Sequence, residues 1–223
     1  MGIFIAATII LLWLGHLLYL LFFVQPDFGS PLFYIHILVQ GYLYTGLFIT
    51  AHDAMHGSVA RNNRLNDFIG HLSTTLFAFL SYRVLLKEHY KHHRFPATEK
   101  DPDFSVKSNN FFLWWFSFMK NYTRWWQILL MAVTFNLLLL HFTEIRLIAF
   151  WIVPAFIGTF QLFFFGTWLP HKRPVTSDMK PHNARTLKKN HLLAMLSCYF
   201  FGYHWEHHES PTTPWWKLYK MKN

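Results

Sequence analysis

Three short stretches of this 223-residue chain carry histidines at helical spacing: His52 and His56, then His89, His92 and His93, then His204, His207 and His208. Residues three or four apart share one face of a helix, so each stretch can aim its imidazoles at a common point. Neutral imidazole offers a lone pair and is the commonest side-chain metal ligand. A ninth candidate, His171, directly follows Pro170. Nine imidazoles exceed what one ion takes, since zinc sites use about four protein ligands, or three plus water, so the inventory suits two ions. Successive helical residues diverge by ~100°, so His92 and His93, like His207 and His208, can each serve a different ion of a pair.

Imidazoles without thiolates suit several borderline metals, and ligand type alone does not select iron. Iron is favoured because substrates facing lipid mostly lack groups to hydrolyse, whereas their C–H bonds call for oxygen chemistry. Carboxylates accompany each cluster. Asp53, Asp101 and Glu206 are candidates to accept the second ring N–H of a ligand and fix its tautomer. A solvated or helix-end carboxylate is the alternative for each, as it is for Glu88 and Asp103. His16, His36, His71, His141 and His191 stand alone and read as packing or interfacial residues, and His182 stays undecided.

Composition places the clusters at a membrane. Hydrophobic residues make up 53% of the chain and aromatics 20%, with 25 Phe and 10 Trp, far above a soluble domain. The single cysteine, Cys198, excludes an internal disulfide and any multi-thiolate cluster. Neither a phosphate-cradling glycine loop nor a GxGxxG turn is present, so reducing equivalents must come from an external electron donor. No nucleic-acid partner is expected. With no linker or charge block to divide it, the chain reads as one domain over residues 1–223.

The elements that must position the histidines follow from the apolar runs. Residues 3–24 are apolar but for Thr8 and His16 and match the about 20 helical residues that cross a ~30 Å hydrocarbon layer. They read as a first membrane helix rather than a cleaved signal, with no basic start and a second apolar run close behind. Residues 25–30, with Pro26 and Gly29, make a turn. Pro31 then suits the first turn of a second helix toward Ala51, which delivers His52 and His56 at its far end, with Gly57 as its stop. Two more spans are expected at 125–142 and 147–169, joined by a short loop at 141–146. Pro170 marks the exit of the second, and Pro154 and Gly158 invite a kink within it.

Residues 65–86 and 109–126 are aromatic and apolar but broken by Asp67, Arg83, Lys120 and Arg124, and both read as interfacial. The first connects two clusters that share a site, so it lies along the surface or dips in and returns. The Trp pairs at 114–115, 125–126 and 215–216 suit interfacial belts. The fold class is therefore all-α: a polytopic membrane protein with about four transmembrane helices plus interfacial helices.

Positive charge orients it. Ten of the 20 Lys and Arg lie in 61–124 and nine follow residue 171, leaving Arg146 alone in the opposite loop. The positive-inside bias puts all three clusters and both termini on the cytoplasmic side. The same basic surface offers a docking face for an acidic donor protein.

HxxxH, HxxHH and a final HxxHH among four spans resemble the membrane-bound di-iron desaturase and hydroxylase superfamily. The flanking words are closer to one branch: HDAMHG at 52–57, FGTWLPH at 165–171, HNAR at 182–185, FGYHWEHHESP at 201–211 and PWW at 214–216 are similar to those of bacterial β-carotene ketolases. The likeness runs from about residue 45 onward, and the Leu218-Tyr219-Lys220 ending departs from the family's usual Leu-Pro. It implies that the eight clustered histidines and His171 hold two irons, and it gives His182 a claim as a further functional residue. It also implies a reaction: O2-dependent oxidation of the allylic C4 methylene of a β-ionone ring to a ketone, by two hydroxylations and loss of water. The substrate is a carotenoid taken from the bilayer of a bacterial inner membrane, and a ferredoxin-like protein supplies electrons. The alternatives are a carotenoid hydroxylase, or a fatty-acid desaturase or hydroxylase of the same superfamily. A histidine-rich metal transporter is more remote, because its ligands belong near the midplane rather than at helix ends.

Overall fold

The computed structural model describes residues 1–222, and every regular element among them is helical. Helices α1 (Gly2–Phe23) and α2 (Pro31–Met55) form on either side of the expected turn, with Pro31 in the first turn of α2. Gly57 ends α2 at φ +69°, the left-handed value for which glycine is suited. A Cβ on Gly2 would stand 2.3 Å from the Val59 carbonyl oxygen, so the start of α1 and the end of α2 share one level.

Asn62 caps α3 (Asn63–Ala78), its side chain accepting from the backbone N–H of Arg64 and Leu65. The helix runs back along α2 until Phe77 meets Tyr44, ring centroids 5.4 Å apart, which lies about 12 Å of helix rise before His52. Phe79 reverses the chain in a left-handed conformation, and α4 (Tyr82–Arg94) leaves at 104° to carry His89, His92 and His93. The segment between the first two clusters thus folds back on itself at Phe79.

Next come α5 (Phe111–Tyr122) and α6 (Trp125–Leu138). At 14 residues α6 is shorter than the span expected over 125–142, because the chain turns out of the helix after Leu138. The last long helix, α7, runs unbroken over Glu144–His171, starting earlier and ending later than expected. Three helices, α1, α2 and α7, are long and apolar enough to cross a membrane, and the bent pair α3–α4 is a fourth candidate. At the end remote from the histidines Arg146 donates to the Leu21 carbonyl at 3.0 Å, joining the start of α7 to the end of α1.

Two prolines shape α7. A proline ring clashes with the carbonyl four residues back, here those of Phe150 and Gly166. At both places the helix widens into a π turn, Ile148–Ile152 and Phe164–Trp168, which absorbs the clash. Pro170 therefore does not end the helix, which continues to His171. Small residues let α7 approach α2: a Cβ on Gly41 would lie 2.7 Å from Ile157, and one on Gly158 would lie 3.0 Å from Tyr44.

A further short helix had no expectation attached to it. Helix α8 (His191–Cys198) lies against α2, where the Tyr42 hydroxyl donates to the Met195 carbonyl at 2.7 Å and the Tyr42 and Tyr199 rings stack at 4.4 Å. Leu187 N–H donates to the Gly202 carbonyl at 2.9 Å and closes this loop at its base. Helices α9 (His204–Glu209) and α10 (Trp215–Leu218) complete the chain.

Candidate metal centre

Four elements bring nine imidazoles together: the end of α2, the last turns of α4, the end of α7 and all of α9. Their ring nitrogens fall into two groups, each with every member within 4.8 Å of the others. His52, His56, His89, His93 and His207 make the first, and His92, His171, His204 and His208 the second. Adjacent residues are split, His92 from His93 and His207 from His208, as their ~100° divergence on a helix requires.

Neighbouring Nε2 atoms stand 3.2 Å apart for His52 and His207, 2.7 Å for His56 and His89, and 3.1 Å for His89 and His93. In the second group the separations are 3.1 Å for His92 and His208, and 3.0 Å for His171 and His204 and for His204 and His208. Each Nε2 carries one proton or one lone pair. Several aimed at a common point would set proton against proton or lone pair against lone pair, and a cation at that point satisfies them all. Ligands ~2.1 Å from an ion and at right angles are ~3.0 Å apart, so both groups fit a metal ion with neutral imidazole ligands.

Burial favours the neutral form of most of these rings, but at His92 it is outweighed by the Asp101 and Asp103 carboxylates, which raise the pKa to about 9. His204, His207 and His208 are pushed well below the ordinary histidine pKa, first by desolvation and then by neighbouring imidazoles. The outer nitrogens differ in their partners. His92 Nδ1 is 3.0 Å from both Asp101 carboxylate oxygens, and His171 Nδ1 donates to the Asn183 carbonyl at 3.0 Å. Burial disfavours the charged Asp101, yet the His92 imidazole holds its pKa below the ordinary value. Asp101 also accepts from the N–H of Ala97 and Asp103, which closes the loop after α4 around His92.

Of the other proposed carboxylate partners, Asp53 stays beside an imidazole and Glu206 turns elsewhere. Glu206 accepts from the Thr186 hydroxyl at 2.6 Å and the Lys222 ammonium at 2.9 Å, because on α9 it projects away from the face shared by His204, His207 and His208. Asp53 accepts from the Trp215 N–H at 2.9 Å and is 3.5 Å from His52 Nδ1, which has no hydrogen-bond partner among the described residues. His182 lies outside both groups: its Nε2 is 2.8 Å from Glu209 Oε2, and its ring centroid is 5.8 Å from that of His208. Glu88 pairs with Lys91. His16, His36, His71, His141 and His191 join neither group.

Phe201 and Gly166 were missed by reasoning from the histidines, whereas Asp103, named with Asp101 in the sequence, takes a different role from it. Phe201 packs its ring 4.8 Å from His52 and 5.2 Å from His204, and Gly166 makes room for it. Asp103 accepts from the Tyr122 hydroxyl and, through its carbonyl, from Trp114 Nε1 at 2.7 Å, which docks α5 over the centre. Burial raises the Asp103 carboxyl to about 6. The only sequence signal for Gly166 and Phe201 is that they stand in the words flanking the histidines.

An inner cavity of about 90 Å³ reaches His52, His89, His92 and His204. It adjoins an outer cavity of about 480 Å³ between the α3–α4 elbow, α5, α6 and α7. Phe77, Leu80, Met119, Thr123 and Thr159 line both and form the throat. At the outer cavity Phe116, Ile128 and Phe156 are exposed, so its mouth opens on the apolar flank of the helices.

The profile of the fatty acid desaturase family matches residues 29–126 and 118–223. Among curated proteins, the zeaxanthin 4-ketolase of Chlamydomonas reinhardtii is 38% identical over 99% of this chain and 53% of its own length. The β-carotene 4-ketolase 3 of Haematococcus lacustris is 39% identical over 81% of this chain and 59% of its own length. The β-carotene ketolase of Paracoccus sp. (strain PC1) is 39% identical over 96% of this chain and 89% of its own length. The chain thus spans little more than half of the algal relatives and most of the bacterial one.

Proposed function

This chain belongs to the fatty acid desaturase family, and on that premise we propose that it is a membrane-embedded carotenoid 4-ketolase. The observation that carries the reading is the cavity that leads from the two imidazole groups to an apolar mouth on the flank of the helices. A substrate confined to the hydrocarbon layer reaches such a site without crossing water, and a flat conjugated end fits walls built from Phe77, Leu80, Trp115, Phe116, Met119 and Phe156.

The nine histidines would hold two irons, His52, His56, His89, His93 and His207 one and His92, His171, His204 and His208 the other. Bound there, the irons supply the electron acceptance and O2 cleavage that C–H oxidation needs. The protein's part is position. Phe201 and the throat hold a ring with its C4 methylene at the imidazole end, and the apolar walls exclude water from the reacting carbon. Each hydroxylation consumes O2, two electrons and two protons and releases water; the second leaves a gem-diol, which dehydrates to the ketone.

Arg146, alone among the Lys and Arg, lies at the end remote from the histidines. That asymmetry supports an inner-membrane protein with its site and both termini on the cytoplasmic side. An acidic, ferredoxin-like donor would dock on that basic face. The test is expression in cells that make β-carotene, with mass spectrometry of the pigment. A ring that gains one oxygen and loses two hydrogens supports ketolation. One that only gains oxygen indicates a hydroxylase, and altered fatty acids with unchanged carotenoid would overturn the reading.

A further inference from the structure

We propose that Phe201 is a positioning residue for both metal ions: the face of its ring accepts the outer N–H of His52 from one imidazole group and of His204 from the other. It stands behind these two ligands as the Asp101 carboxylate stands behind His92. The inference rests on the metal assignment made above and adds to it the group that orients two of the ligands.

A neutral imidazole that gives Nε2 to a metal keeps its proton on Nδ1, and that N–H needs an acceptor. His92 finds Asp101 and His171 finds the Asn183 carbonyl. Of the nine imidazoles, only His52 and His204 have an outer nitrogen that is buried and without a hydrogen-bond partner among the described residues. Asp53 does not serve His52: its Oδ1 is 3.5 Å away and makes no hydrogen bond to Nδ1, and its Oδ2 accepts from the Trp215 N–H. A buried donor left without any acceptor is costly.

What these two rings share is Phe201. Its centroid is 4.8 Å from that of His52 at an interplanar angle of 72°, and 5.2 Å from that of His204 at 83°. Near-perpendicular rings at such separations meet edge to face, and the face of a phenyl ring is its negative side. An imidazole edge that carries N–H gains a weak acceptor there. His207, the third imidazole beside Phe201, is tilted at 53° with centroids 5.6 Å apart, and its nitrogens are not orphaned. Gly166 accounts for one edge of the phenyl: a Cβ there would stand 2.3 Å from Cε1 and 2.9 Å from Cδ1, so that edge is turned to α7. The acceptor is uncharged, so it orients two ligands without adding negative charge beside the ions.

The experiment loads the full chain in detergent with zinc, which is diamagnetic and takes imidazole ligands, and records the ring N–H signals by NMR with the histidine ring nitrogens isotopically labelled. A proton over an aromatic face is shielded and one beside the edge is not, so two ring N–H signals are expected upfield of the rest. Phe201→Leu, which keeps apolar bulk without a face, should move both downfield and lower zinc retention against a chelator about tenfold, the smaller end of what losing a partner behind a ligand costs. Phe201→Tyr should keep the signals and the retention. Wild-type signals with no upfield pair, or a Leu variant that leaves the pair in place, overturn the inference while bound zinc leaves the metal assignment standing. A full chain that takes up no zinc overturns the metal assignment and this inference with it.

Discussion

The Phe201 ring occupies the space a side chain at Gly166 would need: a Cβ there would stand 2.3 Å from the ring edge. The same ring touches His52 of one imidazole group and His204 of the other. The π turn of α7 thereby sets the floor on which both groups rest. Gly166→Ala is expected to push Phe201 into the imidazoles and cut ketone formation about tenfold, within the ~1–3 kcal/mol that overpacking costs. Pigment analysis normalised to the amount of protein checks this, and full turnover in the variant would show that the ring has room to yield.

Two groups of imidazoles predict two metal ions per chain. Elemental analysis of the purified active protein should give that stoichiometry, and His171→Ala, which removes one of four nitrogens from the second group, should lower it toward one. A single ion in the active wild type contradicts the assignment.

Asp101 and Glu206 are both acidic residues near histidines, yet only Asp101 meets an imidazole. Asp101→Asn should weaken metal retention about 10–100-fold, the usual effect of losing a carboxylate behind a ligand. Glu206→Gln should leave metal retention nearly unchanged while loosening the contact with Lys222. Competition with a chelator, run on both variants, separates the two roles; equal losses would refute the distinction.

Thr159 stands where the two cavities meet. Thr159→Trp should close the throat and abolish carotenoid conversion with metal content intact. Continued conversion would show that the substrate takes another route.

Much of the centre was legible because it is local. The spacing of His52 with His56, of His89 with His92 and His93, and of His204 with His207 and His208 lies within single helical turns, and helix geometry alone puts each set on one face. The same geometry separates His92 from His93 and His207 from His208. The apolar runs of α1, α2 and α7 were equally plain, since length and hydropathy follow from the hydrocarbon layer they match.

What remained hidden depends on contacts between residues far apart in sequence. Glu206 looked like a partner for an imidazole because it adjoins one, but its direction on α9 hands it to Thr186 and Lys222. Helix α8 was missed because its eight residues are too few for a span and make sense only against Tyr42 and Tyr199. The sequence by itself determined which residues can ligate and which segments are apolar, because those properties reside in side chains and in one turn of backbone. Only the tertiary structure decided how the nine imidazoles divide, which carboxylate stands behind His92 and where the cavity that reaches them runs, because each of these is a distance between separate helices.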